Sequence, residues 1–491
     1  MNSVIKNSKI WDGILKAVLV LLIVAVIATP VAGTMFTFLS EDDFSYESGG
    51  LEGSVLYQSS IVGSFMKTAN IYKSQQGCYT PMFLDHLFRP YSRFGMPGFH
   101  FAMFSYVAIF LASVFAVSFV LIKNKTVSLA VILALVLSVF TMSYTRLDTE
   151  IMYWHTETLG YTLMLGFMLY ALTFSVLSVR NNGYKTVIYI ILSSVFAFLA
   201  SGASLTLVAV NCAVMGAVLI IDYKELIERK FLVIPFVAGF IGALINAVAP
   251  GNFVRADDSA VPGHETLLDG IRDTFTCAFG SFFKAVDIIF ILTAIILIAL
   301  CILYKVEVIK GGLSGIRMLI ILGGVLVIHV IEAFPAAYGG KVGQLEGHLL
   351  IEHIIAVRFT MIFVVVCFAQ WLREHFAAIE KQQNALKIAC AVVALLILVL
   401  PVTRGIMHDS FTARTYRDLR SGAAVRSYRV REYVLSTFQM AEDGTDCIIY
   451  VPWDTSTESF PGMGIGADSE WFENRSAANL FGLHTTTILT P

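Results

Sequence analysis

Residues 17–43 read AVLVLLIVAVIATPVAGTMFTFLSEDD, an apolar run that ends in three consecutive acids. The run extends over about 13–38, which is long enough for a helix to cross a bilayer. Comparable apolar runs recur along the chain, and about eleven of them predict an all-α polytopic membrane protein. The ten later runs lie at 98–122, 126–144, 158–179, 186–200, 204–221, 231–249, 286–304, 315–335, 354–372 and 386–403.

The composition supports the membrane assignment. The 491 residues are 57% hydrophobic and 14% charged, with a mean hydropathy of +0.74. A soluble protein carries roughly a quarter charged residues. The net charge of −2 and the lack of a strongly basic domain argue against nucleic acid as a partner.

Basic residues alternate between successive connections, which predicts the topology. Every second connection carries a cluster, and cytoplasmic loops are the ones enriched in Lys and Arg. The N-terminus is therefore expected inside and the C-terminus outside. The clusters are Lys6/Lys9, Lys123/Lys125, Arg180/Lys185, Lys224/Arg229/Lys230, Lys305/Lys310/Arg317 and Arg373/Lys381/Lys387.

Two outer segments are long enough to fold. The first outer loop, 39–97, has apolar residues at near-helical spacing from Leu56 to Tyr72, which predicts an amphipathic helix on the membrane surface. The tail combines an Arg-rich helical stretch with a β-like run at 447–451. We therefore divide the chain into a transmembrane domain, 1–403, and a small extracytoplasmic α/β cap, 404–491.

The acidic run Glu41-Asp42-Asp43 follows the first apolar run directly. Adjacent carboxylates repel, so one of their pKa values rises unless a cation lies nearby. A carboxylate held in this way can take a proton from a hydroxyl nucleophile or bind a divalent cation beside a phosphate. The alternative is a solvated acidic cap at the end of a helix.

Two further outer patterns carry polar or aromatic groups. Tyr153 and Trp154 could pack on a sugar ring, or they could belong to an interfacial aromatic belt. Arg255 follows a Pro-Gly-Asn turn that starts at Pro250, and its guanidinium could grip a lipid phosphate. The alternative for Arg255 is a snorkelling side chain at the end of a helix.

Ionisable residues also occur within the late apolar runs. Glu332 and His329 lie in or at the edge of one run, and Arg358 lies in the next. Such residues are costly in a membrane and usually face a cavity or each other. A structural Glu332–Arg358 pair and a substrate role are equally open, and Lys341 in the connection is a further phosphate candidate.

The chain contains no P-loop, G-x-G-x-x-G, zinc-ligand spacing or G-x-S-x-G elbow. Since no nucleotide-binding signature is present, we expect any transferred group to arrive on a lipid.

Together these short motifs resemble the membrane-embedded glycosyltransferases of the C superfamily, in a bacterial branch related to the O-antigen glucosyltransferases. The superfamily has a short acidic motif after the first span, which Glu41-Asp42-Asp43 matches here, with Phe44 and Tyr46 following. The other matching elements, spread nearly end to end, are Tyr153-Trp154, the turn from Pro250 to Arg255, and Trp471 to Arg475 with Gly482.

The resemblance implies an inverting transfer of a sugar from a polyprenyl-phosphate carrier to a cell-envelope glycan or lipid, at the outer face of a bacterial cytoplasmic membrane. It implies Asp42 as general base, Asp43 as its partner or as ligand of a divalent cation (Mg²⁺ or Mn²⁺, though no cofactor is certain), and Arg255 with Arg358 as phosphate ligands. The further candidates for substrate binding are Glu41, Tyr46, Tyr153, Trp154, Glu332 and Lys341.

Two alternatives share the outer lipid site. A transporter or flippase of lipid-linked saccharides would not need a base, and it should carry functional ionisable groups near the membrane midplane. A polysaccharide polymerase would use the outer face too and would depend on Arg-rich outer loops, which the Arg-rich tail keeps open.

Overall fold

The structure is a computed structural model that is about 80% helical. Two strands form its single small sheet in the part of the chain that it describes. The described residues are 2–48, 60–142, 147–221, 223–258, 267–309, 311–339, 345, 347–376, 378–379, 382–453 and 455–490.

Among the described residues, six helices are long and apolar enough to cross a membrane, or up to eight if each of two bent pairs forms one span. In length and composition these helices fit a multi-pass membrane protein. The six are Ile10–Phe36, Pro90–Leu121, His155–Arg180, Lys230–Ala247, Gly315–Tyr338 and Gly347–His375, and the bent pairs are Leu267–Ala285 with Ile288–Leu303 and Gln383–Val399 with Pro401–His408.

Every predicted apolar run falls on a helix, but the count of eleven spans depends on three shorter ones. Lys125–Phe140, Tyr184–Ala200 and Leu205–Ile221 have 16 or 17 residues each. At 1.5 Å per residue such a helix is about 25 Å long, whereas the hydrocarbon core is about 30 Å thick. These three helices are thus the ones whose crossing the length does not establish.

The spans differ in how deeply the protein surrounds them. In the most apolar stretches of His155–Arg180 and of Gly347–His375, 67% of the residues are buried, against 17% in the first span. His155–Arg180 includes Met164–Arg180, which packs against Pro90–Leu121 and Tyr184–Ala200. These two spans also carry ionisable residues, and the buried ones, among them His155, His353 and Arg358, therefore face protein.

The connection between the first two long helices contains the expected amphipathic helix, observed as Ile61–Ser74. It begins at the N-cap Ser60, whose hydroxyl accepts a hydrogen bond of 2.8 Å from the Gly63 N–H. A second helix, Tyr79–Phe88, follows in the same loop. One face of Ile61–Ser74 leaves large apolar side chains uncovered, as a helix at a membrane surface would; they are Ile61, Val62, Phe65 and Met66.

The C-terminal region confirms the predicted helical stretch and strand. The Arg-rich segment forms Phe411–Ser421 and Ala423–Met440, which meet at Gly422 with φ of +74°. Strand Asp446–Tyr450 pairs in parallel with Thr485–Leu489, with Asp446 opposite Thr485. A parallel pair needs a crossover connection, and helix Phe472–Phe481 lies within it.

The remaining helices are parts of the candidate spans or short segments between them. The first helix as a whole runs Asn2–Gly33 and continues as the 3-10 turn Thr34–Phe36. The others are Asp43–Ser48, Leu147–Tyr153, His155–Glu157, the π-helical Thr158–Leu163 and Pro335–Gly339, Tyr223–Glu228, the 3-10 turn Lys230–Val233, Ile234–Ala247, Pro250–Asp258 and Gly315–Phe334.

A buried ion pair joins the C-terminal region to the short helix Leu147–Tyr153. The guanidinium of Arg414 donates to Asp148 Oδ1 at 2.5 Å, and both side chains are buried. Beside it, the Phe411 N–H donates to the Met142 carbonyl oxygen at 3.1 Å. Although Arg414 lowers it, burial raises the pKa of Asp148 to about 6.

We expect Arg414→Leu to lower the free energy of unfolding by about 3 kcal/mol, because it leaves a buried carboxylate without its partner. Arg417→Leu is the matched control on the same helix, since the Arg417–Glu458 pair is partly exposed and should contribute less than about 1 kcal/mol. Denaturant unfolding in detergent micelles measures both. Equal losses in the two variants would contradict the role given to Arg414.

Candidate functional site

The acidic run folds back on itself directly after the first span. Glu41 has φ of +46°, a left-handed conformation that is uncommon outside glycine, and helix Asp43–Ser48 begins two residues later. The Glu41 N–H donates to the Met463 carbonyl oxygen at 3.1 Å, which holds this conformation from the C-terminal region. As a result Asp43 points inward, while Glu41 and Asp42 stay partly exposed.

Asp43 is completely buried and accepts three hydrogen bonds. Its Oδ2 accepts from the Ser40 N–H at 2.9 Å, and its Oδ1 accepts from the Thr156 N–H and hydroxyl at 3.0 and 2.7 Å. Burial raises the pKa of Asp43 to about 8, although these donors oppose the rise. Asp43 is thus hydrogen-bonded both to Ser40, which follows the first span, and to Thr156 at the start of the span His155–Arg180.

Asp42, the residue before Asp43, interacts electrostatically with the carboxylate of Glu473 and with the guanidinium of Arg255. Burial raises the pKa of Asp42, and so does the neighbouring Glu473 carboxylate, whereas Arg255 lowers it. Gly464 presses against the side chains of Glu41 and Glu473, so the C-terminal region forms one wall here. Asp42 is therefore a partly accessible carboxylate with a guanidinium nearby.

The segment that carries Arg255 packs backbone to backbone against the connection between helices Ile61–Ser74 and Tyr79–Phe88. A Cβ on Gly251 would lie 2.5 Å from the amide nitrogens of Gln75 and Gln76, so only glycine permits the approach. Asn252 Oδ1 accepts from the Gly77 N–H at 2.8 Å, and the exposed Arg255 donates to Gln76 Oε1 at 2.9 Å. Pro250–Arg255 is therefore a docked helix start rather than a free turn.

Sequence reasoning missed three neighbours of the run: Asp85, His155 and Glu157. His155 Nδ1 lies 3.8 Å from Asp85 and 3.9 Å from Asp43, all three side chains being buried. Neither oxygen of Asp85 has a hydrogen-bond partner among the described residues, and burial raises its pKa well above the ordinary value. For Asp85, the signal available in the sequence was an acid within the otherwise apolar helix Tyr79–Phe88.

Glu157 extends the cluster into the start of the candidate span His155–Arg180. It interacts electrostatically with Asp42, Asp43 and Arg255, and its Oε2 lies 3.9 Å from His348 Nδ1. We call Asp42, Asp43, Asp85 and Glu157 the acidic centre. Four carboxylates share this small region, and Arg255 is a cation at its exposed edge.

The aromatic candidates lie in different places. Tyr46 is buried beside the acidic centre with its ring 5.8 Å from that of His86, and burial raises the pKa of its hydroxyl. Tyr153 is a core residue, because its hydroxyl donates to the Pro30 carbonyl at 2.9 Å and its ring stacks on Phe460 at 4.8 Å. Trp154 is nearly buried, with its indole N–H unpartnered among the described residues.

The Glu332–Arg358 pair weighed from the sequence does not form. Arg358 donates to Asp287 Oδ2 at 2.5 Å and to the carbonyl oxygens of Ala285 and Ser138 at 2.9 and 3.0 Å. These contacts anchor the 71° bend between Leu267–Ala285 and Ile288–Leu303, where Asp287 caps the second helix. Glu332 contacts two histidines instead, and Lys341 lies outside the described residues.

The raised pKa of Asp43 predicts a pH-dependent stability. The native state binds this proton up to about pH 8, whereas the unfolded chain releases it near pH 4. Stability should therefore fall as the pH rises from 5 to 8, by up to about 1.4 kcal/mol per unit from this group. Asp43→Asn should flatten the slope, and Asp409→Asn, on the surface, should not. Denaturant unfolding at pH 5, 6, 7 and 8 measures it, and an unchanged slope in Asp43→Asn would contradict this.

Comparison of the chain with protein-family models, curated proteins and solved structures finds no match. What this protein can do is therefore inferred from the acidic centre itself, which combines a partly exposed carboxylate, the electrostatic influence of a guanidinium and a set of buried acids.

Proposed function

We propose that this chain is an integral membrane glycosyltransferase that moves a sugar from a polyprenyl-phosphate carrier to a cell-envelope glycan or lipid. In this proposal the chain crosses a bacterial cytoplasmic membrane eleven times, with its N-terminus inside and the α/β cap of residues 404–491 at the outer face. The observation that carries the proposal is the electrostatic influence of Arg255, which lowers the pKa of Asp42 although the two residues are 213 positions apart in the sequence.

Asp42 is the general base of the proposed reaction. Among the three acids of the run, Asp43 is buried and already bonded to Ser40 and Thr156, so it positions rather than reacts. Asp42 is partly accessible, and its raised pKa brings it closer to neutrality, where a base works best. It would accept the proton of the acceptor hydroxyl as that oxygen attacks the anomeric carbon.

Arg255 is the phosphate ligand of the proposed reaction. As the new glycosidic bond forms, the bond between the anomeric carbon and the phosphate oxygen breaks, and its electron pair stays on the carrier phosphate. A guanidinium beside that oxygen stabilises the growing charge. Arg255 is exposed and held by Gln76 on the docked segment, whereas Arg358 is occupied at the helix bend.

A transporter or flippase of lipid-linked saccharides is the second candidate. It is favoured by buried ionisable side chains within the spans, such as Glu332, Glu352 and His353. A polysaccharide polymerase would use the same outer base and is a variant of the first candidate. The requirement for a base at Asp42 separates transfer from transport.

Asp42→Asn should reduce sugar transfer by at least about 100-fold, because a neutral amide cannot take the acceptor's proton. Transfer is measured as release of polyprenyl phosphate from a panel of polyprenyl-phosphate hexoses, with purified protein in lipid vesicles. Asp409→Asn, an exposed acid paired with its neighbour His408, is the matched control and should keep wild-type activity. Full transfer by Asp42→Asn would refute the assignment. Movement of the donor across vesicles without transfer would favour the transporter.

Arg255→Ala should raise the KM for the lipid-linked donor by about 10–100-fold, because it removes a charge-assisted contact with the phosphate. Gln76→Ala should have a smaller effect in the same direction, since Gln76 only orients the guanidinium. Arg317→Ala, an exposed arginine at the start of helix Gly315–Phe334 and outside the acidic centre, serves as control. An unchanged KM in Arg255→Ala would contradict the phosphate role.

A further inference from the structure

The helices Gly315–Phe334 and Gly347–His375 bring His329, Glu332 and His353 together. His329 and Glu332 are three positions apart in the last two turns of Gly315–Phe334, and His353 lies in the second turn of Gly347–His375. All three side chains are buried. The Nδ1 atoms of His329 and His353 lie 3.1 and 3.0 Å from the same carboxylate oxygen, Glu332 Oε2.

A neighbouring hydroxyl decides which nitrogen of His329 carries a proton. His329 Nε2 lies 2.9 Å from Thr360 Oγ1, and that hydroxyl donates its own hydrogen to the Ala356 carbonyl at 2.7 Å. Nε2–H must therefore be the donor to Thr360. In a neutral imidazole this leaves the Nδ1 lone pair facing the Glu332 carboxylate, so the contact at 3.1 Å is favourable only with a proton or a metal ion between the two atoms.

The other oxygen of the Glu332 carboxylate is also unsatisfied. Its Oε1 has no hydrogen-bond partner among the described residues, although the side chain is completely buried. A buried carboxylate with an unsatisfied oxygen is costly, and more so within a membrane-spanning helix. The nearby Glu352 does not share this problem, because Ser204 and Thr206 donate to it.

We propose that His329, Glu332 and His353 bind one divalent transition-metal ion of the Zn²⁺ class. Two imidazole nitrogens and one carboxylate form a common ligand set for such an ion, with a fourth position left for water. The three ligand atoms lie within 4.8 Å of one another. Tetrahedral ligands with bonds of about 2.1 Å are about 3.4 Å apart, so small side-chain shifts suffice.

The surroundings suit a metal site in other respects. Thr360 holds the far nitrogen of His329, as the hydrogen-bonded outer partners of metal-bound imidazoles do. The ion would join the helices Gly315–Phe334 and Gly347–His375, neutralise Glu332 and remove the repulsion at His329. This inference goes beyond the proposed glycosyl transfer, since none of these residues belongs to the acidic centre.

The test is metal stoichiometry of the full chain, purified in detergent, stripped with EDTA, incubated with ZnCl₂ and desalted. Elemental analysis should find about one zinc per chain in the wild type. His353→Ala and Glu332→Gln should each lower bound zinc at least tenfold. The controls are Glu352→Gln, a buried carboxylate one position from His353, and His100→Ala, a buried histidine outside the cluster. Both should retain the wild-type stoichiometry.

Cobalt spectroscopy keeps the proposal testable if a variant fails to fold. Wild-type protein loaded with Co²⁺ should show the intense visible bands of a tetrahedral ion, and His353→Cys should add a thiolate-to-cobalt charge-transfer band. If the wild type takes up no zinc and shows no such spectrum, the proposal is overturned. If Glu332→Gln and His353→Ala retain the full stoichiometry, the zinc is adventitious and the proposal fails equally.

Discussion

The burial of the Asp43 carboxylate is the constraint on which the arrangement of the acidic centre depends. A carboxylate without contact to water must be hydrogen-bonded, and Asp43 obtains its donors from Ser40 on one side and Thr156 on the other. These bonds fix the end of the first span against the start of the span His155–Arg180. They also leave Asp42, the preceding residue, partly exposed at the edge of the acidic centre.

The same rule explains how the spans carry charge. Two buried arginines have a carboxylate partner: Arg358 binds Asp287 at a helix bend, and Arg414 binds Asp148. Breaking such a pair leaves one charge in a medium that cannot solvate it, so these pairs fix helix positions more strictly than apolar contacts do. Asp85, in the acidic centre, and Glu332, beside two histidines, instead keep at least one oxygen without a hydrogen bond within the described part of the chain.

The sequence predicts what depends on local pattern. Long apolar runs form helices because a helix satisfies its own backbone in lipid, and every run is helical here. The surface helix Ile61–Ser74 and the strand Asp446–Tyr450 were predictable on the same grounds. The partner choices were not. Arg358 could reach Glu332 or Asp287, and only the bend at residue 286 decides between them. Likewise, a contact with Met463 sets the conformation of Glu41, and with it which acid is buried.

The contact of Gly251 with Gln75 and Gln76 has a consequence for how the site can change. Two backbones that meet without side chains between them have no rotamers to adjust, so the segment that carries Arg255 has a fixed position against Gln75 and Gln76. In the proposed glycosyl transfer, the Arg255 side chain would lose conformational freedom when the donor binds, whereas the backbone that carries it is already in place. The cost is adaptability, because any residue larger than glycine at position 251 would separate the two segments.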